Sequence, residues 1–264
     1  MMEEIRNAKK NLQTILKDNH FDTKNSKVHE AIEELSNLWK KQETPNAPSE
    51  SEHIQGTWKI ISAPEFPGRI PSSKPEIFQY SLGRMSFNVF EPRNAVVTIS
   101  DKEVYNIIEK FDTEQEGNEE KSSYNILTNI KLHIDGIELP AELFMEGYCT
   151  PKTDTRLTVG FFGGTLRKSP LVNNDESLLK LWNKTFENVY SKADEDRRYT
   201  EILMRWIMKT MMKMVMPTDE SMRYEMKRVV QGHLDILYMD EDLRITKGNR
   251  GTVIVVVKDA KNSS

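Results

Sequence analysis

The sequence predicts a mainly β protein of the α+β class, with helices at its N-terminus and before its last strands. Many short runs between residues 54 and 168 alternate apolar and polar side chains, and turn signals separate these runs. Residues 2–41 and about 171–217 instead carry apolar side chains at helical spacing. A period of two is typical of half-buried strands, and a spacing of three to four residues is typical of amphipathic helices. Many short strands with regular turns favour an antiparallel sandwich or barrel.

Composition indicates a globular chain with a charged exterior. It has 264 residues, of which 37% are hydrophobic and 30% are charged, and the formal net charge is −4. This charge argues against a nucleic-acid-binding protein, which needs a clustered basic surface. No apolar run approaches the ~20 residues that span a bilayer. A single cysteine, Cys149, excludes an internal disulfide and a cysteine-rich zinc site, so we predict no metal site and no cofactor.

The N-terminal residues 1–41 predict two amphipathic helices, each with one apolar stripe. Ser26 is the predicted N-cap of the second helix. Two prolines, three glutamates and no large apolar side chain make residues 42–53 a linker. We therefore divide the chain into a helical segment (1–41), a linker (42–53) and a β domain (54–264). The stripes contain Ile5, Ala8, Leu12, Ile15 and Leu16 in the first helix and Val28, Ile32, Leu35, Leu38 and Trp39 in the second.

Ten segments of the β domain are predicted strands. In residues 124–134, Ile126, Ile130 and Leu132 point one way, and polar residues point mainly the other way. The glycine-rich run 162–166 precedes no helix, so we interpret it as a bulged strand and not as a phosphate loop. The predicted strands are 54–62, 78–90, 95–100, 103–111, 123–135, 140–149, 155–166, 224–239, 243–247 and 252–258.

The insertion at about 171–217 predicts two helices, 175–191 and 195–216, and Pro217 ends the second. The second helix is rich in methionine, which adapts to irregular apolar partners, and its polar side is mainly basic. Three roles remain open for it: packing on the outside of the β core, covering a ligand pocket, or contacting an anionic membrane. The candidate residues for a lid or membrane contact are Trp206, Met208, Met211 and Met212.

The last strands carry the most specific pattern of the chain. Residues 238–251 read as a strand, an acidic corner, a short strand and a glycine turn, and a further strand follows at 252–257. Gly248 and Gly251 bracket the turn, where glycine tolerates positive φ. At the other end of the β domain, Gly56-Thr57-Trp58 begins the first strand.

These residues resemble the plastid lipid-associated protein (fibrillin) family, in which a segment like YLDEDLRI-x-RG-x-x-G closes a lipocalin-like barrel of the calycin type. Fainter likeness covers patches of residues 54–168, whereas Met239, Lys247 and the helices at 171–217 depart from the family pattern. The resemblance implies that Trp58 plugs the closed end of the barrel. It also implies that Arg244 lies over the indole in a cation–π contact worth about 0.5–2 kcal/mol.

The acidic corner contains Asp240, Glu241 and Asp242. Calcium binding and general-base chemistry are functional interpretations of such a cluster. Three adjacent acids on a turn are more often a solvated corner in which one carboxylate accepts hydrogen bonds from backbone amides. We expect Asp240 and Asp242 to have this structural role.

No motif of the sequence predicts catalysis. The five histidines are scattered and form no metal-binding spacing, and there is no nucleophile elbow or phosphate loop. We expect Cys149 to be a buried, inert thiol. Whether the protein is an enzyme therefore stays open, with a non-enzymatic role favoured and no catalytic residue named.

The family resemblance implies that the protein binds a fatty acid, a prenylquinone or a carotenoid at photosynthetic membranes or lipid bodies (plastoglobules). It also implies a cyanobacterial-type member, cytoplasmic or peripheral on the thylakoid, because no signal, transit peptide or membrane span is seen. The alternatives are a filled barrel that binds a protein partner through its helices, and an enzyme acting on a lipophilic or chromophoric substrate. From strand alternation, the predicted ligand-lining residues are Phe87, Val89, Ile126, Leu143, Met145, Val159 and Phe161.

Overall fold

A computed structural model describes residues 2–42, 48–49, 51–72, 74, 76–99, 103–110, 121–229 and 231–259. Seven α-helices fall within these residues: α1 (Met2–Asp18), α2 (Ser26–Lys40), α3 (Leu82–Met85), α4 (Pro170–Asn173), α5 (Glu176–Phe186), α6 (Val189–Glu195) and α7 (Tyr199–Met211). A short 3-10 helix covers Glu52–Ile54.

Fourteen strands lie in the same described residues. They are β1 (Gly56–Ile60), β2 (Arg69–Ile70), β3 (Phe78–Ser81), β4 (Val96–Ile99), β5 (Val104–Ile108), β6 (Ser122–Ser123), β7 (Asn125–Ile134), β8 (Ile137–Thr153), β9 (Arg156–Lys168), β10 (Met214–Val215), β11 (Arg223–Met226), β12 (Gln231–Met239), β13 (Leu243–Gly248) and β14 (Val253–Lys258).

Eight of these strands form a closed antiparallel barrel. The ring runs β9–β12–β13–β14–β1–β5–β7–β8 and returns to β9, and every neighbouring pair is antiparallel. The first strand therefore pairs with the last, so the two ends of the β domain close the ring. The predicted mainly β barrel with N-terminal helices and a helical insertion is confirmed, and the sandwich alternative is excluded.

The barrel continues into extra strands beside its longest hairpin, β8–β9. The far half of β7 pairs with β4, which continues to β3 and β2, and the far half of β9 pairs with β11, which continues to β10. A large core lies between these extensions and continues into the barrel as far as Trp58. It includes Phe90 and Tyr224, whose rings lie 5.8 Å apart. Trp182 and Phe186 of α5 belong to the same core. The inserted helices are therefore part of the folded unit and cover this core.

Helices α1 and α2 pack on the outside of the barrel. The ring of Trp39 lies 5.9 Å from that of Tyr238, and Thr23 donates a hydrogen bond to the backbone oxygen of Val253. Their apolar stripes share one buried cluster with Leu243, which is fully buried. The two helices thus share a core with the barrel, while the predicted linker lies partly outside the described residues, which omit 43–47 and 50.

Several predicted boundaries are wrong. The predicted strand 78–90 ends at Ser81 and continues as α3, followed by a turn in which Phe87 has a φ of 53°. The predicted helix 175–191 divides at Asn188, whose φ is 55°, and the predicted helix 195–216 is shorter, because α7 covers only Tyr199–Met211. The predicted strand 224–239 is two strands, β11 and β12. Residues 100–102 and 111–120, at or between the ends of the predicted strands 95–100, 103–111 and 123–135, lie outside the described residues.

The predicted bulge in the glycine-rich run is confirmed. The register of β8 and β9 shifts between Glu146 and Gly147, where Gly163 and then Phe161 are the partners, so Phe162 is the extra residue. A Cβ atom at Gly164 would lie 2.7 Å from the ring of Tyr224, so this glycine lets β11 approach β9 closely.

Candidate functional site

The inner face of the barrel can be followed through the strand register. Directly paired residues of antiparallel strands point to the same side of the sheet. Trp58 pairs with Asn106, Asn106 with Ile126, and Ile126 with Met145. Arg244 contacts both Trp58 and Asn106, so its side chain lies on this same face. Ile245 and Tyr238 point outward to the N-terminal helices.

Trp58, for which the family resemblance predicts a role as plug of the closed end, lies on the inner face of the barrel. It is completely buried, and its Nε1 donates a 2.8 Å hydrogen bond to the backbone oxygen of Ile54 in the short 3-10 helix. The Arg244 guanidinium carbon lies 4.7 Å from the indole centroid, which is the expected cation–π contact. Lys258 is a second cation at the same ring, with its Nζ 4.5 Å from the centroid. Sequence reasoning missed Lys258, although it pairs directly with Trp58.

Arg244 is buried among groups that do not neutralise it. Its residue is 2% exposed, and its Nη2 donates to Oδ1 of Asn106. Its Nε and Nη1 atoms have no hydrogen-bond partner in the part of the chain that the structure describes. Burial lowers the pKa of Arg244, and interactions with Tyr124 and Cys149 oppose that shift. The inner face therefore carries a positive charge beside Asn106, a polar residue that the sequence places in the middle of an otherwise apolar strand.

Cys149 lies close enough to Arg244 to be influenced by its charge. The thiol is 3% exposed, and burial raises its pKa to about 11, although Arg244 acts in the opposite direction. The ring of Tyr124 packs edge-on against Phe161 at 6.1 Å, and burial likewise raises the pKa of Tyr124, opposed by Arg244. Both residues are protonated at neutral pH, so neither supplies an anion to Arg244.

Five apolar side chains of the inner face are only partly buried. Solvent therefore reaches this part of the barrel lining, whereas Leu157 and Ile236 on the same face are almost fully buried. The half-buried apolar residues of the inner face are Ile126, Met145, Phe161, Leu234 and Ile254.

The predicted lining residues separate into two groups. Five of them share the inner face: Ile126, Leu143, Met145, Val159 and Phe161. Phe87 and Val89 do not lie on a strand; Phe87 is 61% exposed in the turn after α3, and Val89 is buried in the core beyond the barrel. Their placement on a barrel strand is therefore wrong, because the chain leaves the sheet after Ser81. Contact between the other five residues and a ligand stays a prediction.

Helix α7 buries none of its residues and presents an apolar stripe to solvent. Two of the four predicted lid or membrane residues, Met208 and Met212, pack partly buried against the core beyond the barrel, and the other two, Trp206 and Met211, are more than 60% exposed. The exposed apolar residues of α7 are Tyr199, Ile202, Leu203, Met204, Trp206 and Met211, and four of them follow the i, i+3, i+4, i+7 spacing of one helix face.

Ion pairs attach α7 to the barrel extension. Glu201 of α7 forms an ion pair with Arg93 at 2.9 Å, and Arg93 also forms an ion pair with Glu91 at 3.0 Å. Arg197, just before the helix, lies 3.1 Å from Glu91, and both of these side chains are buried. Arg205 of the helix lies 3.8 Å from Asp194. The inward face of α7 is thus fixed largely by charge, which leaves its apolar stripe unused by the fold.

The acidic corner is built into the packing of α1. Asp240 accepts hydrogen bonds from the backbone amides of Asp242 and Leu243, at 3.1 and 2.9 Å, and from the Tyr238 hydroxyl. Lys9 of α1 lies 2.6 Å from Asp240 and also pairs with Asp242. The arrangement matches the expected solvated corner, and it adds an anchor for α1 that sequence reasoning missed.

The described residues contain neither a membrane-spanning helix nor a cluster of metal ligands. None of the helices within them is long and apolar enough to span a membrane. No group of three or more histidine, cysteine, aspartate or glutamate side chains in that part of the chain is placed to hold a metal ion.

Comparison with known proteins gives one match. The PAP_fibrillin family model matches residues 6–257 of the chain. The match begins in α1 and ends in β14, so it includes the closed barrel and the inserted helices. No curated protein and no solved structure matches the chain.

Proposed function

Because the chain belongs to the PAP/fibrillin family, we propose that it binds and carries a lipophilic small molecule inside its barrel. The observation that carries this proposal is a closed eight-strand barrel whose inner face has apolar side chains that solvent reaches. A barrel of eight strands is wide enough for one small ligand. The ligand classes proposed are fatty acids, prenylquinones and carotenoids, at photosynthetic membranes or lipid bodies.

Apolar burial supplies the affinity in this proposal. Each Å² of apolar surface removed from water is worth about 25 cal/mol before the entropic cost of binding is subtracted. Ile126, Met145 and Phe161 are the inner-face residues that a tail would cover. The polar groups deeper in the barrel, Asn106 and Arg244, would orient the ligand, as a few polar groups do in other apolar sites.

A matched pair of variants on one strand tests the carrier function. Ile126→Gln places an amide on the inner face, and Leu127→Gln makes the same change on the outer face of β7. Solvent extraction and native mass spectrometry of the purified protein identify any bound lipid or pigment, and titration with a fatty acid, a quinone and a carotenoid gives Kd values. We expect Ile126→Gln to weaken binding about tenfold or more and Leu127→Gln to leave it nearly unchanged.

Two outcomes would contradict the carrier function. If no lipid or pigment co-purifies and none of the three ligand classes binds, the filled-barrel alternative, a protein-interaction module, replaces it. If a ligand binds but the two variants weaken binding equally, the ligand does not occupy the barrel interior. Circular dichroism of both variants checks that their fold is retained.

A second candidate function, contact with a lipid surface, is favoured by α7. Its exposed stripe includes Leu203 and Trp206, and amphipathic helices of this kind lie in the membrane interface. The end of the helix and the adjoining β10–β11 pair bring together four exposed cations, Lys209, Lys213, Lys227 and Arg228. An apolar face beside clustered cations is complementary to an anionic lipid surface, where each cation contributes about 1 kcal/mol.

Vesicle sedimentation tests this second function. We expect the protein to bind vesicles that contain anionic lipid, to bind less in high salt, and to bind about tenfold less when Leu203 and Trp206 are both changed to Ser. Leu171→Ser is the matched control, because Leu171 is 65% exposed on α4 and outside the α7 stripe. Equal binding by the double variant and this control, or no binding by the unaltered protein, would exclude α7 as the contact.

A further inference from the structure

Arg244 is a buried cation without an anionic partner among the described residues. It is 2% exposed, and its one hydrogen bond joins Nη2 to the neutral amide of Asn106. A guanidinium group has five N–H donors, and here the Nε–H and both Nη1–H groups find no acceptor. The titratable groups that most affect the pKa of Arg244 are Tyr124 and Cys149. Both are protonated and therefore uncharged at neutral pH.

The contacts that Arg244 does make leave its burial poorly compensated. The face of Trp58 attracts the guanidinium from 4.7 Å, and Asn106 accepts one hydrogen bond. Neither group carries a negative charge, and an isolated charge taken out of water is costly unless it is paired and hydrogen-bonded. Burial accordingly lowers the pKa of Arg244. Such a group is a binding site for an anion that can reach it.

Lys258 and Arg244 lie over the same indole ring, but only Lys258 has hydrogen-bond acceptors there. A role in closing the barrel therefore does not by itself explain the unpaired donors of Arg244. Lys258 also lies over Trp58, but its Nζ donates to the backbone oxygens of His53, at 3.2 Å, and Gln55. It therefore ties the last strand to the short helix that covers the end of the barrel. Lys258 has acceptors for this role, whereas Arg244 faces the interior and has donors to spare.

We propose that Arg244 binds the carboxylate head group of a single-chain amphiphile, a fatty acid or a close analogue, inside the barrel. This inference rests on the proposed carrier function and selects among its ligand classes. The planar fork of a guanidinium matches the two oxygens of a carboxylate, and Asn106 holds the fork in place. The tail of the ligand extends along the half-buried inner face, past Ile126 and Phe161. Carotenoids and quinones carry no anionic group and leave Arg244 unpaired.

The first test compares ligands on the unaltered protein and needs no variant. Kd values are measured for a saturated fatty acid, its methyl ester and the alcohol of the same chain length. The three tails are alike, so the differences report the head group. We expect the acid to bind at least about tenfold more tightly than the ester or the alcohol, because a charge-assisted pair forms only with the carboxylate.

Variants assign that preference to Arg244. Arg244→Met keeps an apolar stem and removes the charge, so we expect the preference for the acid to fall to about onefold, while the ester binds as before. Arg244→Lys keeps the charge but loses the fork, so we expect an intermediate preference. Lys258→Met is the matched control, since it removes the other cation at Trp58, and we expect its preference for the acid to be that of the unaltered protein.

The outcomes separate this inference from the function on which it rests. If the ester and the alcohol bind as tightly as the acid, the barrel carries lipids but Arg244 does not select an anion, and only the inference is overturned. If the Lys258 variant loses the preference and the Arg244 variant keeps it, the head group lies elsewhere, and the inference is also overturned. If neither acid, ester, alcohol, quinone nor carotenoid binds, the carrier function itself fails. Should Arg244→Met not fold, Arg244→Lys and Lys258→Met assign the preference, because only the change at Arg244 is expected to reduce it.

Discussion

At the scale of single residues, Trp58 organises the closed end of the barrel. The two cations beside it differ in their hydrogen bonding. Lys258 donates to backbone oxygens, whereas the Nε and Nη1 donors of Arg244 have no acceptor among the described residues. A cation–π contact contributes about 0.5–2 kcal/mol, which is less than the several kcal/mol that an unpaired buried ion costs. This difference in magnitude is why the contact with Trp58 alone does not account for the position of Arg244.

The buried thiol of Cys149 gives a prediction at the same scale. Because burial raises its pKa from the ordinary 9.0 to about 11, the thiolate fraction at neutral to mildly alkaline pH is about a hundredfold lower than for an unshifted cysteine. We expect a disulfide reagent such as DTNB to label the folded protein at least that much more slowly than the protein unfolded in guanidinium. Equal rates in the two states, followed by absorbance, would show that the thiol is exposed.

At the scale of elements, the elements with strong periodicity were predictable and their ends were not. The apolar stripes of α1 and α2 correctly predict which of their residues are buried, and the alternation of β7 does the same for that strand. The predicted N-cap, Ser26, is wrong by one position, because Asn25 accepts the hydrogen bond from the Lys27 amide. Both residue types cap helices well, so propensity cannot choose between neighbours. The strand that ends at Ser81 leads through α3 to Phe90, whose ring contacts Tyr224, a partner distant in sequence.

The anchor between α1 and the acidic corner gives an element-scale prediction. Burial opposes ionisation of Asp240, but hydrogen bonds with Asp242, Lys9 and Tyr238 hold its pKa below the ordinary value of 3.8. The stabilisation from Asp240 is therefore complete above that value and is lost as the pH falls through the lower pKa of the folded state. We expect Asp240→Asn to lower the free energy of unfolding by about 1–3 kcal/mol at neutral pH and by much less in acid.

Urea unfolding at neutral and acidic pH measures this difference. Asp242→Asn is the control, since the Asp242 side chain is 71% exposed and shares the partner Lys9. We expect it to change stability by less than about 1 kcal/mol, as exposed ion pairs do. A loss for Asp240→Asn that persists unchanged in acid would mean that the lost stabilisation does not come from the ionised carboxylate.

At the scale of the whole molecule, the N-terminal helices and the barrel share one buried cluster. Trp39 of α2 and Ile245 of β13 both belong to it, so the helices cannot leave without exposing the outer wall of the barrel. Because the two parts are stabilised by the same contacts, we expect them to unfold in a single cooperative transition.

The variant Trp39→Ala tests this coupling. We expect a loss of about 3–5 kcal/mol, as for other large-to-small changes in a core, and faster labelling of Cys149, which lies on the inner side of the barrel. Trp206→Ala is the control, because Trp206 is 61% exposed and its removal should change stability by less than about 1 kcal/mol. Two separate transitions, or Trp39→Ala without effect on Cys149 labelling, would show that the helices are an independent unit.

The sequence by itself determined the β class and the two N-terminal helices, which depend on local periodicity, and the family, which depends on a motif of a few residues. The contact of Arg244 with Trp58 was implied only through the resemblance to that family. Only the tertiary structure decided that β1 pairs with β14 to close a ring, that Phe87 lies outside it, and that α7 keeps an apolar stripe exposed. It also decided that the Nε and Nη1 donors of Arg244 have no acceptor among the described residues. Those facts depend on contacts between residues that are distant in sequence. The local sequence around a buried charge does not determine which residues surround it in the fold.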